Sequence, residues 1–237
     1  IWAVQMLWIP FWAAGVINGS GHWWGYRDFE TSDASRNISW LGFLIGGEEL
    51  HNNHHAFASS AKFSSKWWEF DAGWGYIVLL RALGLAQVKK LAPRTHIVTG
   101  KERVDMDTLR AVFASRLNVM ANYAREVLMP VLRQEYRCRD GACRKNLRRA
   151  RRLLVRNPEA MDDTSRGVLE GVLERFANLR TVYQYRQRLQ DIWNRSATSH
   201  ENLMQALQEW CQQAEATGVQ ALQDFAQRLR GYSLQPV

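Results

Sequence analysis

The chain opens on seventeen residues, Ile1 to Ile17, with a single polar side chain, Gln5. Seventeen apolar residues stand at the short limit for a bilayer-spanning helix. The run carries Trp2, Trp8, Phe11, Trp12 and a kinking Pro10, and it starts abruptly on Ile1. The expectation is the end of a transmembrane helix whose upstream part is missing, the alternative being a buried core helix of a soluble protein. Residues 18–66 change character, with four of the six histidines, paired acids and many small residues. After Trp67-Trp68-Glu69-Phe70-Asp71-Ala72-Gly73-Trp74, the stretch Gly75 to Val88 sets Ile77, Leu80, Leu83 and Leu85 around Arg81 and ends in Lys89-Lys90. It is too short and too amphipathic to span, so a helix lying in the membrane interface is expected.

Pro93 and Gly100 bracket a linker, and beyond it the pattern is helical. One stripe runs Leu109, Val112, Phe113, Leu117, Met120, Tyr123, Ala124, Val127. Asn157-Pro158 interrupts it. A second runs Val168, Leu169, Val172, Leu173, Phe176, Leu179, Val182, Tyr183. Thr198 and Glu201 form a capping box before Leu203, Leu207, Trp210 and Cys211. Gly218 suits a helix stop, and Val219, Leu222, Phe225 and Leu229 make the last stripe. No strand alternation and no internal repeat is visible. The expected fold is all-α: the end of a transmembrane helix, polar helices and an interfacial helix in residues 1–92, a linker at 93–101, and a basic helical extension over 102–237.

Charge sharpens that division. Residues 1–80 hold four Lys and Arg against seven Asp and Glu; the remaining 27 and 16 lie in 81–237. Nine of the eleven tryptophans fall in the first 80 residues, where the ring meets lipid and its N–H a polar group. In the extension, Arg144, Lys145, Arg148, Arg149, Arg151, Arg152 and Arg156 cover roughly 160° of a helical wheel opposite Leu147, Ala150, Leu153 and Leu154. A basic amphipathic helix of this kind suits an anionic lipid surface or the solvated face of a helical domain. Three cysteines, Cys138, Cys143 and Cys211, argue against a secreted disulfide framework. Cys138 and Cys143 have half-site spacing for zinc, but no second pair matches them, so reduced thiols are expected.

The segment that carries chemistry is Gly47-Glu48-Glu49-Leu50-His51-Asn52-Asn53-His54-His55. On a helix the three histidines share an arc of about 100°. Three imidazoles on one face can converge on a metal, and imidazole alone does not choose between iron, copper, nickel and zinc. Asn18 and His22 stand four apart at the end of the apolar run and can serve the same centre. Each ligating ring needs a partner on its other nitrogen; Glu48, one turn before His51, is the first candidate, with Glu49 and Asp28 behind it.

This nonapeptide resembles the third histidine box of the membrane fatty acid desaturases. Asn18-Gly19-Ser20-Gly21-His22 resembles the Asn-x-x-x-His motif that precedes it in the acyl-CoA desaturase branch. Gly21-His22-Trp23-Trp24-Gly25-Tyr26-Arg27 and Trp67 to Trp74 are similar to bacterial members, and the resemblance covers Ile1 to about Lys90. It implies O2-dependent insertion of a double bond, at the delta-9 position, into an acyl chain at a non-haem centre of two iron ions. His22, His51, His54 and His55 would then be iron ligands, Asn18 would hold a ligand water, and residues 1–92 would be the C-terminal part of the di-iron membrane domain. The family's two upstream histidine boxes are not in these 237 residues, so the chain by itself is expected to be an inactive fragment. The resemblance further implies an acyl-CoA or acyl-phospholipid substrate, an electron donor such as ferredoxin or a flavin reductase chain, and a bacterial inner membrane with the site facing the cytosol. The alternatives are an acyl-chain hydroxylase of the same superfamily and a membrane-docking helical module without catalysis. The tail resembles the C-terminal extension of some proteobacterial desaturases, and Trp210 through Arg230 resembles the end of some transposases. With no strand-borne acidic triad, DNA chemistry is not expected there; the basic tail could dock a partner, an anionic membrane surface or nucleic acid, with nucleic acid not among the expected partners.

Overall fold

The computed structural model describes residues 1–135, 141–194 and 199–235. It is mostly helical and divides into two compact units, Ile1–Ala92 and Pro93–Val237.

In the first unit the apolar opening run is helical, but not as one α-helix. The α-helix Trp2–Pro10 passes into a π-helical segment, Phe11–Asn18, and a last turn, Gly19–Gly21. Pro10 has no N–H to donate and its ring crowds the carbonyl four residues earlier, which favours a slip to the wider register. Among the described residues no helix is long and apolar enough to cross a membrane. The interfacial helix expected over 75–88 runs instead from Ala72 to Ala82. It starts earlier because the Asp71 carboxylate accepts from the Trp74 N–H at 2.8 Å. It stops earlier because Gly84 takes φ +73, the left-handed conformation that ends helices. Leu41–Gly42 and Phe70–Asp71 pair as short parallel strands, Leu41 opposite Phe70; two residues are too few to show alternation.

Burial in this unit is inverted. Among its described residues the buried apolar ones are few: Ile17, Phe29, Leu50 and Ala72. Ser35, Asn37, Glu49, His51, Asn52, Asn53, Ser60, Glu69 and Asp71 are buried polar groups. Trp23, Trp24, Trp40, Phe43, Leu44, Trp67 and Leu85 are all more than half exposed. A polar network therefore holds the unit, and its apolar side chains face outward.

The second unit has an ordinary core. Leu109, Val112, Tyr123, Val127, Leu147, Leu169, Leu179, Leu189, Leu207, Trp210, Leu222, Phe225 and Leu229 are buried together, so the expected stripes face inward. The first stripe breaks at Ser115, between helices Met106–Ala114 and Arg116–Tyr123. Ser115 Oγ donates to the Ala111 carbonyl at 2.5 Å, a back-bond that bends helices. Val119 rather than Leu117 then takes the buried position, and a π segment, Ala124–Leu128, resets the register again. The second stripe is cut at Phe176, between Asp163–Arg175 and Ala177–Asn194. Ser199 caps the helix His200–Glu215; Thr198 lies outside the described residues. Thr95–Ile97, inside the stretch read as a linker, pairs antiparallel with Tyr232–Leu234 and belongs to this unit. Cys143 is disulfide-bonded, against the expected reduced thiols, and Cys211 is a buried free thiol. Cys138 lies outside the described residues.

Candidate metal centre

Gly46 and Gly47 take φ +65 and +101 ahead of the short helix His51–Ala56. Leu50 at its N-terminus is completely buried, which pins the first histidine inward. His51 packs against Gly21: a Cβ there would lie 2.9 Å from the ring carbon Cδ2. His22, one residue further, follows the last turn of the opening helical run. The rings of His22 and His51 are 5.2 Å apart between centroids, those of His22 and His55 5.1 Å, and those of His51 and His55 4.3 Å. One ring nitrogen from each of the three lies within 4.8 Å of the others.

His54 stands outside this group of three. Its ring rests on Phe63 at 4.6 Å and is 6.3 Å from that of His51. Asn18 Oδ1 is 3.3 Å from His51 Nε2, so Asn18 orients a histidine in this structure. Of the expected carboxylates, Glu48 is 3.9 Å from His51 Nδ1. Glu49 instead accepts from the Leu44 and Ile45 N–H groups. Asp28 accepts from Asn37 Nδ2 at 3.3 Å. Burial and the neighbouring Glu69 push the Asp28 carboxyl up to about 7.

Three residues outside the expected set organise the centre. Asp33 Oδ2 is 2.6 Å from His55 Nδ1, the carboxylate–imidazole contact that fixes a ring's tautomer. Asp33 also accepts from Thr31 Oγ1 and the Ser35 N–H. Burial opposes its charge, but the bonds from Ser35, His55 and Thr31 outweigh it and hold the carboxyl far below the usual range. Asn52 Oδ1 accepts from the N–H groups of Asp28 and Phe29, while its Nδ2 donates to the carbonyls of Phe29 and Ser35. Asn53 Nδ2 donates to Glu69, and Asn53 Oδ1 accepts from Asn37 Nδ2. The asparagines of the motif thus fasten the 28–37 loop to the histidine helix. Thr31-x-Asp33-x-Ser35 is legible as a tight polar turn, but nothing local says that it reaches His55.

His22 Nε2, His51 Nδ1 and His54 Nδ1 are buried without a hydrogen-bond partner. A buried orphan nitrogen costs about 1–3 kcal/mol, so the two within the converging group, on His22 and His51, ask for a ligand, and the one on His54 lies beside it. Burial first, then the neighbouring histidines, lower the pKa of His22. Burial likewise leads the lowering at His54. Neutral imidazole is the metal-binding form, so the donor set fits a first-row metal ion.

Comparison with known proteins adds two likenesses. A family model described as a transposase matches residues 119–235, just under half of the chain; the likeness is wider than the 210–230 stretch suggested. A delta-9 desaturase-like protein of Arabidopsis thaliana is 47% identical over 76 residues, 32% of this chain and 25% of the relative. The sn-1 stearoyl-lipid 9-desaturase of Anabaena variabilis is 40% identical over 96 residues, 40% of this chain and 35% of the relative. The sn-2 palmitoyl-lipid 9-desaturase of Nostoc sp. (strain 36) is 43% identical over 82 residues, 35% and 28%. No solved structure matches. The chain thus spans about a quarter to a third of the length of these curated relatives. Through roughly a third of its own length, beside a stretch that matches a transposase family, this chain is desaturase-like, similar to the delta-9 acyl-lipid desaturases.

Proposed function

We propose that the first unit supplies part of the metal site of a fatty acid desaturase, an oxidoreductase that places a double bond, at delta-9, in an acyl chain. The observation that carries this is the convergence of His22, His51 and His55, of which His22 and His51 each keep a buried ring nitrogen without a hydrogen-bond partner. These three would hold one iron ion, and His54 would serve a second, with Asn18 beside His51. Two iron ions, when bound, supply the oxidising power drawn from O2 that an unactivated C–H bond requires. The chain's own residues orient and shield: Asp33 sets His55, Glu48 stands behind His51, and the two asparagines lock the loop around them. The relatives named for acyl-lipid substrates favour acyl-phospholipid over acyl-CoA, and electrons would come from a ferredoxin or a flavin reductase. The outward Trp and Phe side chains support placement at a bilayer; the membrane proposed is a bacterial inner membrane, with the site facing the cytosol.

Tyr232–Leu234 is the only strand among the described residues of 119–235, and it carries no acid; DNA chemistry is not assigned to the second unit. Two measurements test the reading. The purified chain should bind iron weakly and below two per chain, with binding reduced by His51→Ala and His55→Ala; a tight two-iron stoichiometry would sink it. In cells whose desaturation depends on this protein, His54→Ala should remove the unsaturated product, while alanine at His96 or His200, both exposed, should not. Hydroxylated chains in place of olefins would favour the hydroxylase reading.

A further inference from the structure

The helix Gly141–Leu153 has no acidic residue, and Arg144, Lys145, Arg148, Arg149, Arg151 and Arg152 are all exposed. None of the six side chains makes an ion pair or hydrogen bond with a described residue. Its other side is sealed: Cys143, Leu147, Ala150 and Leu153 are between 0% and 8% exposed, in the core of the second unit. The apolar stripe therefore has no freedom to enter lipid, which removes the ordinary mode of an amphipathic interfacial helix. What remains is a rigid cationic face about 20 Å long, able to bind only by charge and by arginine–phosphate hydrogen bonds.

We propose that this face docks on anionic phospholipid headgroups. The proposal rests on the membrane reading of the first unit. The second unit follows on the same chain from Pro93. If the first unit's exposed Trp and Phe surface holds the chain at a bilayer, the cations meet headgroups at high local concentration. Free phosphate or nucleic acid has no such tether. Docking is then electrostatic, weakened by salt and absent on neutral lipid.

The test uses the full chain in lipid nanodiscs, neutral or with a third of anionic phosphatidylglycerol. Phenylglyoxal modification of each arginine is followed by mass spectrometry. At low salt, Arg144, Arg148, Arg149, Arg151 and Arg152 should react at least 5-fold more slowly in anionic discs. The difference should vanish at high salt, and exposed Arg110 and Arg116 should react equally in both. Equal rates at the helix in both discs, with the chain incorporated, overturn the proposal and leave the membrane reading standing. Failure of the chain to enter discs overturns that reading and this one with it. Protection by added duplex DNA in neutral discs, with none from anionic lipid, replaces lipid with nucleic acid.

Discussion

At the scale of single residues, the centre depends on two groups that ligate nothing. Gly21 leaves room for the His51 ring, and a methyl there would need about half an ångström that the ring must yield. Gly21→Ala should therefore lower metal affinity in a cobalt titration, whereas Gly15→Ala, with open space at its Cβ, should leave it unchanged. Asp33→Asn keeps the volume but removes the charge behind His55, and should cost 10- to 100-fold in metal affinity. Unchanged affinity in that variant would mean that the Asp33–His55 contact only ties down the loop. The histidines were legible because helical spacing is local. Asp33 was not, because it lies 22 residues from its partner in sequence and only the folded loop joins them. The fastening role of Asn52 and Asn53 leaves only one local sign, poor helix formers set between histidines.

At the scale of elements, caps and breaks decide what periodicity leaves open. Asp105 caps Met106–Ala114, accepting from the Thr108 N–H at 2.7 Å and from Lys101 Nζ at 2.8 Å. Burial disfavours its charge, but these bonds prevail and hold the carboxyl at about 2 against an ordinary 3.8. A depressed carboxylate stabilises the folded state above its unfolded pKa and loses that contribution as pH falls through the folded value. Asp105→Ala should cost about 1 kcal/mol at neutral pH. The gap from wild type should close between pH 4 and pH 2, read by amide exchange over Met106–Ala114. A gap independent of pH would point to lost packing. The apolar stripes of the second unit were readable as inward faces, since successive helical turns repeat the same signal, but not in every residue: Val119 took the place expected of Leu117. The slips at Ser115 and Pro10 were not, because a single back-bond or missing N–H shifts a register without changing composition.

At the scale of the whole molecule, the division by tryptophan and charge in the sequence runs alongside two different ways of holding a fold, a polar network in one unit and an apolar core in the other. In the second, Arg230 is nearly buried and its guanidinium meets the Glu215 carboxylate through both terminal nitrogens, at 2.5 and 2.7 Å. Glu215→Gln strands that cation and should cost about 3 kcal/mol, measured as a shift of the urea midpoint of the helical signal. A loss below half that size would show that water reaches Arg230. What the sequence could not show is that Thr95–Ile97 and Tyr232–Leu234 would meet, since three-residue strands separated by so many helices leave no local trace. That pairing sets an order in time. Ribosomes add about 5–20 residues per second, so the strand at Thr95 waits several seconds or more before residue 232 exists. During that interval the histidine motif is already complete, while the second unit still presents an open edge. A stall before residue 232 would leave that edge free to pair with another chain.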